Sequence, residues 1–312
     1  MKPDVILLTK VYSRTQEVLE AEFNVHRMFE AADRDAFLRE RAPTARALAT
    51  FGPFGADAKL MDALPKLEII SHFGVGYDSV DVGHAKKRGI LVTNTPDVLN
   101  DCVADTAMSL VLNVMREFPQ SEQYLRAGSW KSRGAYPLTT SVHGKTLGIL
   151  GFGRIGEAIA KRAEAFGMKI RYHNRNRKDT AHPYDPDPET LAKNSTVLLV
   201  ATPGGKETEK LVGAELLDAI GPKGYLVNIS RGSVIDEAAL LRSLKERRIA
   251  GAGLDVFDNE PNVNPEFFAL PNAVLYPHVA SATHETRFAM GMLQVDNLRA
   301  HFAGKPVLTR VV

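Results

Sequence analysis

The stretch that decides the fold reads Thr146-Leu147-Gly148-Ile149-Leu150-Gly151-Phe152-Gly153-Arg154-Ile155-Gly156. An apolar run of strand length leads into Gly-x-Gly-x-x-Gly, and residues 155–166 then carry helical spacing. The glycines have separate duties in such a turn. Gly151 permits a tight reversal, Gly153 lets the main chain approach a pyrophosphate, and Gly156 lets helix and strand pack closely. The helix N-terminus then presents free N–H groups and the positive end of a dipole to phosphate oxygens. Six such residues alone also describe a glycine-rich surface loop. The strand before them, the helix after them and a further strand at Lys169–His173 make them a dinucleotide site, with Gly151, Phe152, Gly153, Arg154, Ile155 and Gly156 as cofactor contacts.

The end of that further strand decides which dinucleotide. NAD sites place Asp or Glu there, about 20 residues on, to bind the ribose 2′-hydroxyl. This chain has His173-Asn174-Arg175-Asn176-Arg177-Lys178, and no carboxylate comes before Asp179. A ribose 2′-phosphate repels an acid and is gripped bidentately by a guanidinium. The expectation is therefore NADP(H), with NAD(H) the weaker alternative. Arg175 is its main contact, Asn174 and Arg177 assist, and Asn176 belongs to the same loop. Elsewhere on a surface the same residues would be only a solvated basic run.

Outward from the turn, strands and helices alternate almost throughout. Apolar runs at 5–8, 45–51, 69–73 and 90–93 precede it, with helical stretches at 14–22, 57–64 and 81–88 between them. Helical spacing returns at 103–114 and 120–127, and residues 128–142 read as irregular. After the turn, strands are expected at 197–201, 225–229, 251–255 and 273–276, and a last helix at 285–302. Such alternation predicts an α/β protein of two Rossmann-like domains, each with a parallel sheet, and a cleft between them. The expected division is a discontinuous, flavodoxin-like substrate domain at 1–98 plus 286–312 and a dinucleotide-binding Rossmann domain at 99–285. The length, 312 residues, accommodates two domains of roughly 100–200 residues each.

The totals exclude several classes. Apolar residues at 44% and charged residues at 24% describe a globular protein, and a net charge of +2 points to neither nucleic acid nor membrane. Cys102 is the only cysteine, so no intrachain disulfide forms, and no metal site is expected. Residues 5–8 are too short for the 7–15-residue apolar core of a signal peptide. A cytoplasmic location is the resulting expectation.

Three polar residues fall at or beyond strand ends, where α/β sheets place their ligands. They are Arg231 after Asn228-Ile229-Ser230, Glu260 before Pro261, and His278 after Pro277. Alone, each is an ordinary surface group. Together they fit carbonyl reduction: a nicotinamide gives hydride, His278 protonates the oxygen, Glu260 holds the other ring nitrogen, and Arg231 binds a carboxylate and polarises the carbonyl.

The chain at this point resembles the D-isomer-specific 2-hydroxyacid dehydrogenases. The resemblance runs through Asn94-Thr95-Pro96, Val103-Ala104-Asp105-Thr106, the glycine turn, Asn228-Ile229-Ser230-Arg231-Gly232, Gly253-Leu254-Asp255-Val256-Phe257, Glu260-Pro261 and Pro277-His278. Phe73-Gly74-Val75-Gly76-Tyr77-Asp78 and the basic loop look most like glyoxylate/hydroxypyruvate reductases. The resemblance implies the same three catalytic roles, and substrate contacts from the N–H groups of Val75 and Gly76 as well as from Arg231 and His278. It implies cofactor contacts from Asp255, Thr106, Ala201, Thr202, Pro203, Ile229 and Ser281. It also implies a homodimer, with Trp130 in the interface. Taken without the resemblance, Asp255 and Thr106 read as possible caps, Trp130 as core and Cys102 as a buried helix residue. Ala280 stands where family members often have Gly, a methyl that would tighten the space beside the nicotinamide.

The expected activity is NADPH-dependent reduction of small 2-keto acids, glyoxylate to glycolate and hydroxypyruvate to D-glycerate. A D-lactate-like or broad 2-ketoacid dehydrogenase is the first rival. The second is a dinucleotide-sensing corepressor-like binding protein, which can keep the same trio.

Overall fold

A computed structural model describes residues 2–312, which form two compact units: residues 2–99 with Ala282–Val312, and Asn100–Ser281. The first is built on a parallel sheet of β1 (Asp4–Leu7), β2 (Asn24–Arg27), β3 (Ala45–Phe51), β4 (Ile69–Phe73) and β5 (Leu91–Thr93), in the order β2-β1-β3-β4-β5. Alternate residues of one strand face opposite sides. Val5, Leu7, Ala47 and Ile69 therefore join a core with Leu19, Val295 and Leu298, while Ile6, Leu48 and Ile70 join another with Leu60, Met61 and Leu64. Helices α1 (Ser13–Glu22), α2 (Arg34–Arg41), α3 (Ala58–Asp62) and α4 (Val82–Lys87) flank the sheet with the C-terminal helix, His284–Phe302. The fully buried Gln294 of that last helix donates to the carbonyls of Thr50 (2.9 Å) and Ser71 (2.7 Å), locking it across β3 and β4.

Two elements of this unit have weak sequence signals. Strand β2 is Asn-Val-His-Arg on a sheet edge and lacks an apolar run. Helix α2 buries only Leu38 and owes its start to Asp33, whose carboxylate accepts from the N–H groups of Asp35 and Ala36.

The second unit carries a six-stranded parallel sheet: β6 (Thr146–Leu150), β7 (Lys169–His173), β8 (Val197–Val200), β9 (Tyr225–Asn228), β10 (Gly251–Leu254) and β11 (Ala273–Leu275). Its order is β11-β10-β9-β8-β6-β7. The chain runs from β6 to one side and then returns to the other, so β6 is the topological switch point. Ligands of open α/β sheets bind beyond the carboxyl ends of strands at such a point. Helix α5 (Asn100–Arg116) buries Val103, Ala107, Leu110, Val111 and Val114 at helical spacing. Helix α6 (Phe118–Arg126) follows. Residues 128–142 are irregular except for the short α7 (Ser129–Arg133). Helix α8 (Arg154–Ala165) follows β6, and α9 (Pro188–Lys193), α10 (Ala214–Ile220) and α11 (Glu237–Lys245) complete the crossovers.

Candidate active site

The glycine turn sits at the carboxyl end of β6. Gly151 has φ +99°, and a Cβ there would lie 2.6 Å from the Thr202 nitrogen. At Gly156 a Cβ would lie 2.8 Å from the Gly151 carbonyl oxygen. Gly153 is different, because nothing lies within 4 Å of the place its Cβ would take. It also stands at the N-cap of α8 with no side chain to cap it. An open approach above bare main chain, at the positive end of a twelve-residue helix, fits a pyrophosphate.

Two residues at the turn have partners within the protein. Phe152 is buried, with its ring 4.7 Å from that of Tyr172. Its N–H donates to Asn174 Oδ1 (2.6 Å), and its carbonyl accepts from Asn174 Nδ2 (3.0 Å). Phe152 therefore has its N–H committed within the protein. The Asn174 amide clasps the turn to the end of β7.

Beyond β11, His278 takes φ +52°, a left-handed conformation that costs a β-carbon-bearing residue about 1–2 kcal/mol. Its surroundings hold it there. The His278 N–H donates to the carbonyls of Asp255 (2.9 Å) and Tyr276 (3.1 Å). The fully buried Asp255 carboxylate accepts from the N–H groups of Val279 (2.8 Å) and Ala280 (3.0 Å). Burial pushes the Asp255 carboxyl up, against the pull of those two N–H groups. Asp255 thus anchors the segment that carries the histidine. Ala280 is buried in that segment. Thr106 stands in the second turn of α5, not at its cap, and its hydroxyl lies 3.2 Å from the Cys102 carbonyl and 3.4 Å from that of Ala280.

Glu260 Oε2 lies 2.6 Å from His278 Nδ1, and its Oε1 accepts the Phe257 N–H at 2.9 Å. Burial raises the Glu260 carboxyl, but the hydrogen bond and charge of His278, the Phe257 N–H and the charge of Arg231 outweigh it, so the group titrates below its ordinary value. It is a carboxylate at neutral pH, and a carboxylate can only accept. The proton on the ring therefore belongs on Nδ1, leaving Nε2 for exchange with a substrate. We expect Glu260→Gln to lower kcat about 10- to 100-fold, because the amide no longer fixes the ring proton on Nδ1 or balances a charge on the ring. An unchanged kcat would contradict this role.

Arg231 follows β9 and Ile229, which is buried at the strand's end. The buried Asn228 shapes its turn, accepting from the Ser230 N–H and donating to the Arg231 carbonyl, both at 3.0 Å. A Cβ at Gly204 would lie 2.6 Å from Arg231 Cγ, and one at Gly232 1.8 Å from the Phe257 carbonyl carbon. Both bare glycines make room for the arginine turn, a duty that the motifs alone did not disclose.

Within the first unit, a loop follows β4. The Gly74 carbonyl accepts the Thr95 N–H (2.9 Å), and the Val75 carbonyl accepts from Asn94 Nδ2 (2.9 Å). In a trans peptide the N–H points opposite to the carbonyl. Tying the carbonyls of 74 and 75 to Asn94 and Thr95 therefore turns the N–H groups of Val75 and Gly76 the other way, as a pair of donors. Asn94-Thr95 was visible in the sequence only as a motif; here it is the clamp.

Residues 108–280 match the model of the D-isomer specific 2-hydroxyacid dehydrogenase NAD binding domain. The chain belongs to the D-isomer-specific 2-hydroxyacid dehydrogenase family. It is 47% identical over 309 residues to a glyoxylate/hydroxypyruvate reductase of Arabidopsis thaliana, covering 99% of this chain and 98% of that one. It is 46% identical over 313 residues to a 2-ketogluconate reductase of Gluconobacter oxydans, covering 100% and 99%. Among solved structures, the NADPH-dependent glyoxylate/hydroxypyruvate reductase of Sinorhizobium meliloti, in complex with NADP and malonate, superimposes with a TM-score of 0.94. It shares 48% identity over 100% of this chain and 97% of that one.

In this 2-hydroxyacid dehydrogenase the acid-free loop after β7 meets a carboxylate from elsewhere in the chain. Arg175 pairs with Glu207, which comes from the loop beyond β8, and both side chains are about four-fifths exposed (81% and 78%). A pair so open contributes little to stability and is readily exchanged for another anion. Asn176 is exposed, and the Arg177 guanidinium lies 6.0 Å from the Tyr184 ring centroid. Arg171, within β7, is structural. It binds the buried Asp185 and holds that carboxyl below the usual carboxylate range. The Thr202 carbonyl accepts the Ser230 hydroxyl, and the Pro203 carbonyl accepts that of Thr208 (2.7 Å), fixing the chain from Ala201 to Pro203 beside the glycine turn. Ser281, partly buried, ends the second unit.

Proposed function

We propose that the chain reduces small 2-keto acids with NADPH, glyoxylate to glycolate and hydroxypyruvate to D-glycerate. The observation that carries this is the His278–Glu260 pair, 2.6 Å apart, in the electrostatic field of Arg231 and on the sheet whose switch point bears the glycine turn. The names of the Arabidopsis and Sinorhizobium relatives support the substrates, and that of the latter supports the cofactor.

The pyrophosphate would lie over Gly153 at the start of α8, with Gly151, Arg154, Ile155 and Gly156 around it. Ala201, Thr202, Pro203, Ile229, Asp255, Thr106 and Ser281 line the rest of the cofactor's path. When bound, the reduced nicotinamide supplies a hydride to the carbonyl carbon. Arg231 binds the substrate carboxylate and draws charge onto the carbonyl oxygen, and the N–H groups of Val75 and Gly76 donate to a substrate carboxylate. His278 delivers the proton from Nε2, and Glu260 balances the charge of the imidazolium. In the domain reading, 1–98 with 286–312 serves the substrate and 99–285 the dinucleotide.

Arg175 sets the cofactor preference in this account, trading Glu207 for the 2′-phosphate. Arg175→Ala should raise the KM for NADPH about 10- to 100-fold and leave that for NADH nearly unchanged, the range expected for one charge-assisted contact. Steady-state rates with each cofactor check it, and equal losses with both would remove Arg175 from this role.

The 2-ketogluconate reductase relative keeps a broader 2-ketoacid specificity as the second reading. Trp130, Leu138 and Leu125 are exposed on α6, α7 and the following segment, which supports a homodimer through this region. No helix among the described residues is long and apolar enough to cross a membrane. A cytoplasmic location belongs to the same proposal.

A further inference from the structure

Strand β4 is buried along its whole length, yet its fourth residue is His72. A buried imidazole is costly unless both ring nitrogens find partners. Nδ1 lies 2.8 Å from the Thr50 hydroxyl, and Nε2 lies 2.9 Å from the Gly76 carbonyl oxygen. A carbonyl can only accept, so Nε2 carries the proton and Nδ1 accepts from Thr50. The Thr50 carbonyl in turn accepts from Gln294, so the ring is fixed from the core side. Above it Gly74 is bare: a Cβ there would stand 3.2 Å from His72 Nε2 and 3.4 Å from the Gly76 carbonyl oxygen.

The loop that carries the Val75 and Gly76 N–H groups is therefore tied at three successive carbonyls. Thr95 takes the first, Asn94 the second and His72 the third. We propose that His72 is a positioning residue for substrate binding. By gripping the Gly76 carbonyl from inside the core it fixes the far end of the loop, so that both N–H donors stay aimed at one carboxylate. The inference rests on the reading that these donors receive the carboxylate of a 2-keto acid. His72 itself touches neither substrate nor cofactor in this account.

Two amide variants separate positioning from simple packing. The amide nitrogen of Gln reaches about as far as Nε2 of His, whereas that of Asn reaches only as far as Nδ1. His72→Gln keeps a donor for Gly76, and His72→Asn does not. With wild type and both variants as full-length protein, we expect His72→Asn to raise the KM for glyoxylate about tenfold, the order set by one lost hydrogen bond. Its kcat should change less than its KM, and its Kd for NADPH should stay at the wild-type value. His72→Gln should restore most of the KM. Equal KM values in the two variants, or an unchanged KM in His72→Asn despite a lower Tm, would make His72 a core residue only and overturn the proposal. Amide hydrogen exchange at residues 75–77 gives a readout that needs no turnover. Faster exchange in His72→Asn but not in His72→Gln supports the tie, and equal exchange refutes it. Wild-type protein that reduces no 2-keto acid would sink the functional reading, while the exchange result would still decide the tie.

Discussion

His278→Ala should lower kcat for glyoxylate reduction by about 10²- to 10⁴-fold, the range that general acid catalysis supplies, with little change in the Kd for NADPH. The loss falls on kcat because the proton is needed as charge builds on the carbonyl oxygen, not when substrate binds. The left-handed backbone at this position calls for a control. Asn tolerates such φ values better than most residues, so His278→Asn tests the loss of the imidazole with the main chain least disturbed. Both variants should be similarly inactive. Loss of NADPH affinity in step with kcat would instead make His278 a structural support for the segment that Asp255 holds.

Arg231→Ala should produce the second large effect, a fall in kcat/KM of about 10²- to 10³-fold, typical of removing one preorganised charged donor. Unlike the histidine, Arg231 is assigned to both ground and transition states, so KM should rise while kcat falls. Arg231→Lys should recover little of this, since an ammonium keeps the charge but loses the planar fork. A variant with normal KM, normal kcat and only a lower Tm would remove the arginine from the chemistry. The turn it occupies, with Asn228 on both sides of it and bare Gly204 and Gly232 against it, would then need another purpose.

The parts of this molecule legible in its sequence are those whose signal is local. The strands of the second unit read cleanly because parallel strands buried on both faces are apolar runs. The glycine turn was legible because each glycine answers a local need for a bare main chain. Strand β2 was not, because an edge strand with polar neighbours lacks that pattern, and α2 depends on a cap and one leucine. At the site, residue identity was legible but partnership was not. Asn174 stood in the right loop, yet its amide serves Phe152, 22 residues earlier in the chain. Glu207 is invisible as a partner of Arg175 because it lies 32 residues further along the chain. The tie from His72 to Gly76 likewise joins residues of a strand and a loop that no local pattern pairs. Asp255, expected only as a cofactor contact or a cap, also anchors the histidine segment.

These residues are proposed to make an NADPH-dependent 2-keto acid reductase. The most direct measurement follows nicotinamide absorbance with purified protein, pairing NADPH or NADH with glyoxylate, hydroxypyruvate, pyruvate or phenylpyruvate. Turnover should be fastest with NADPH and either glyoxylate or hydroxypyruvate. Absence of turnover with every pair, despite NADPH binding, would contradict it and leave a dinucleotide-binding protein that does no chemistry on these acids.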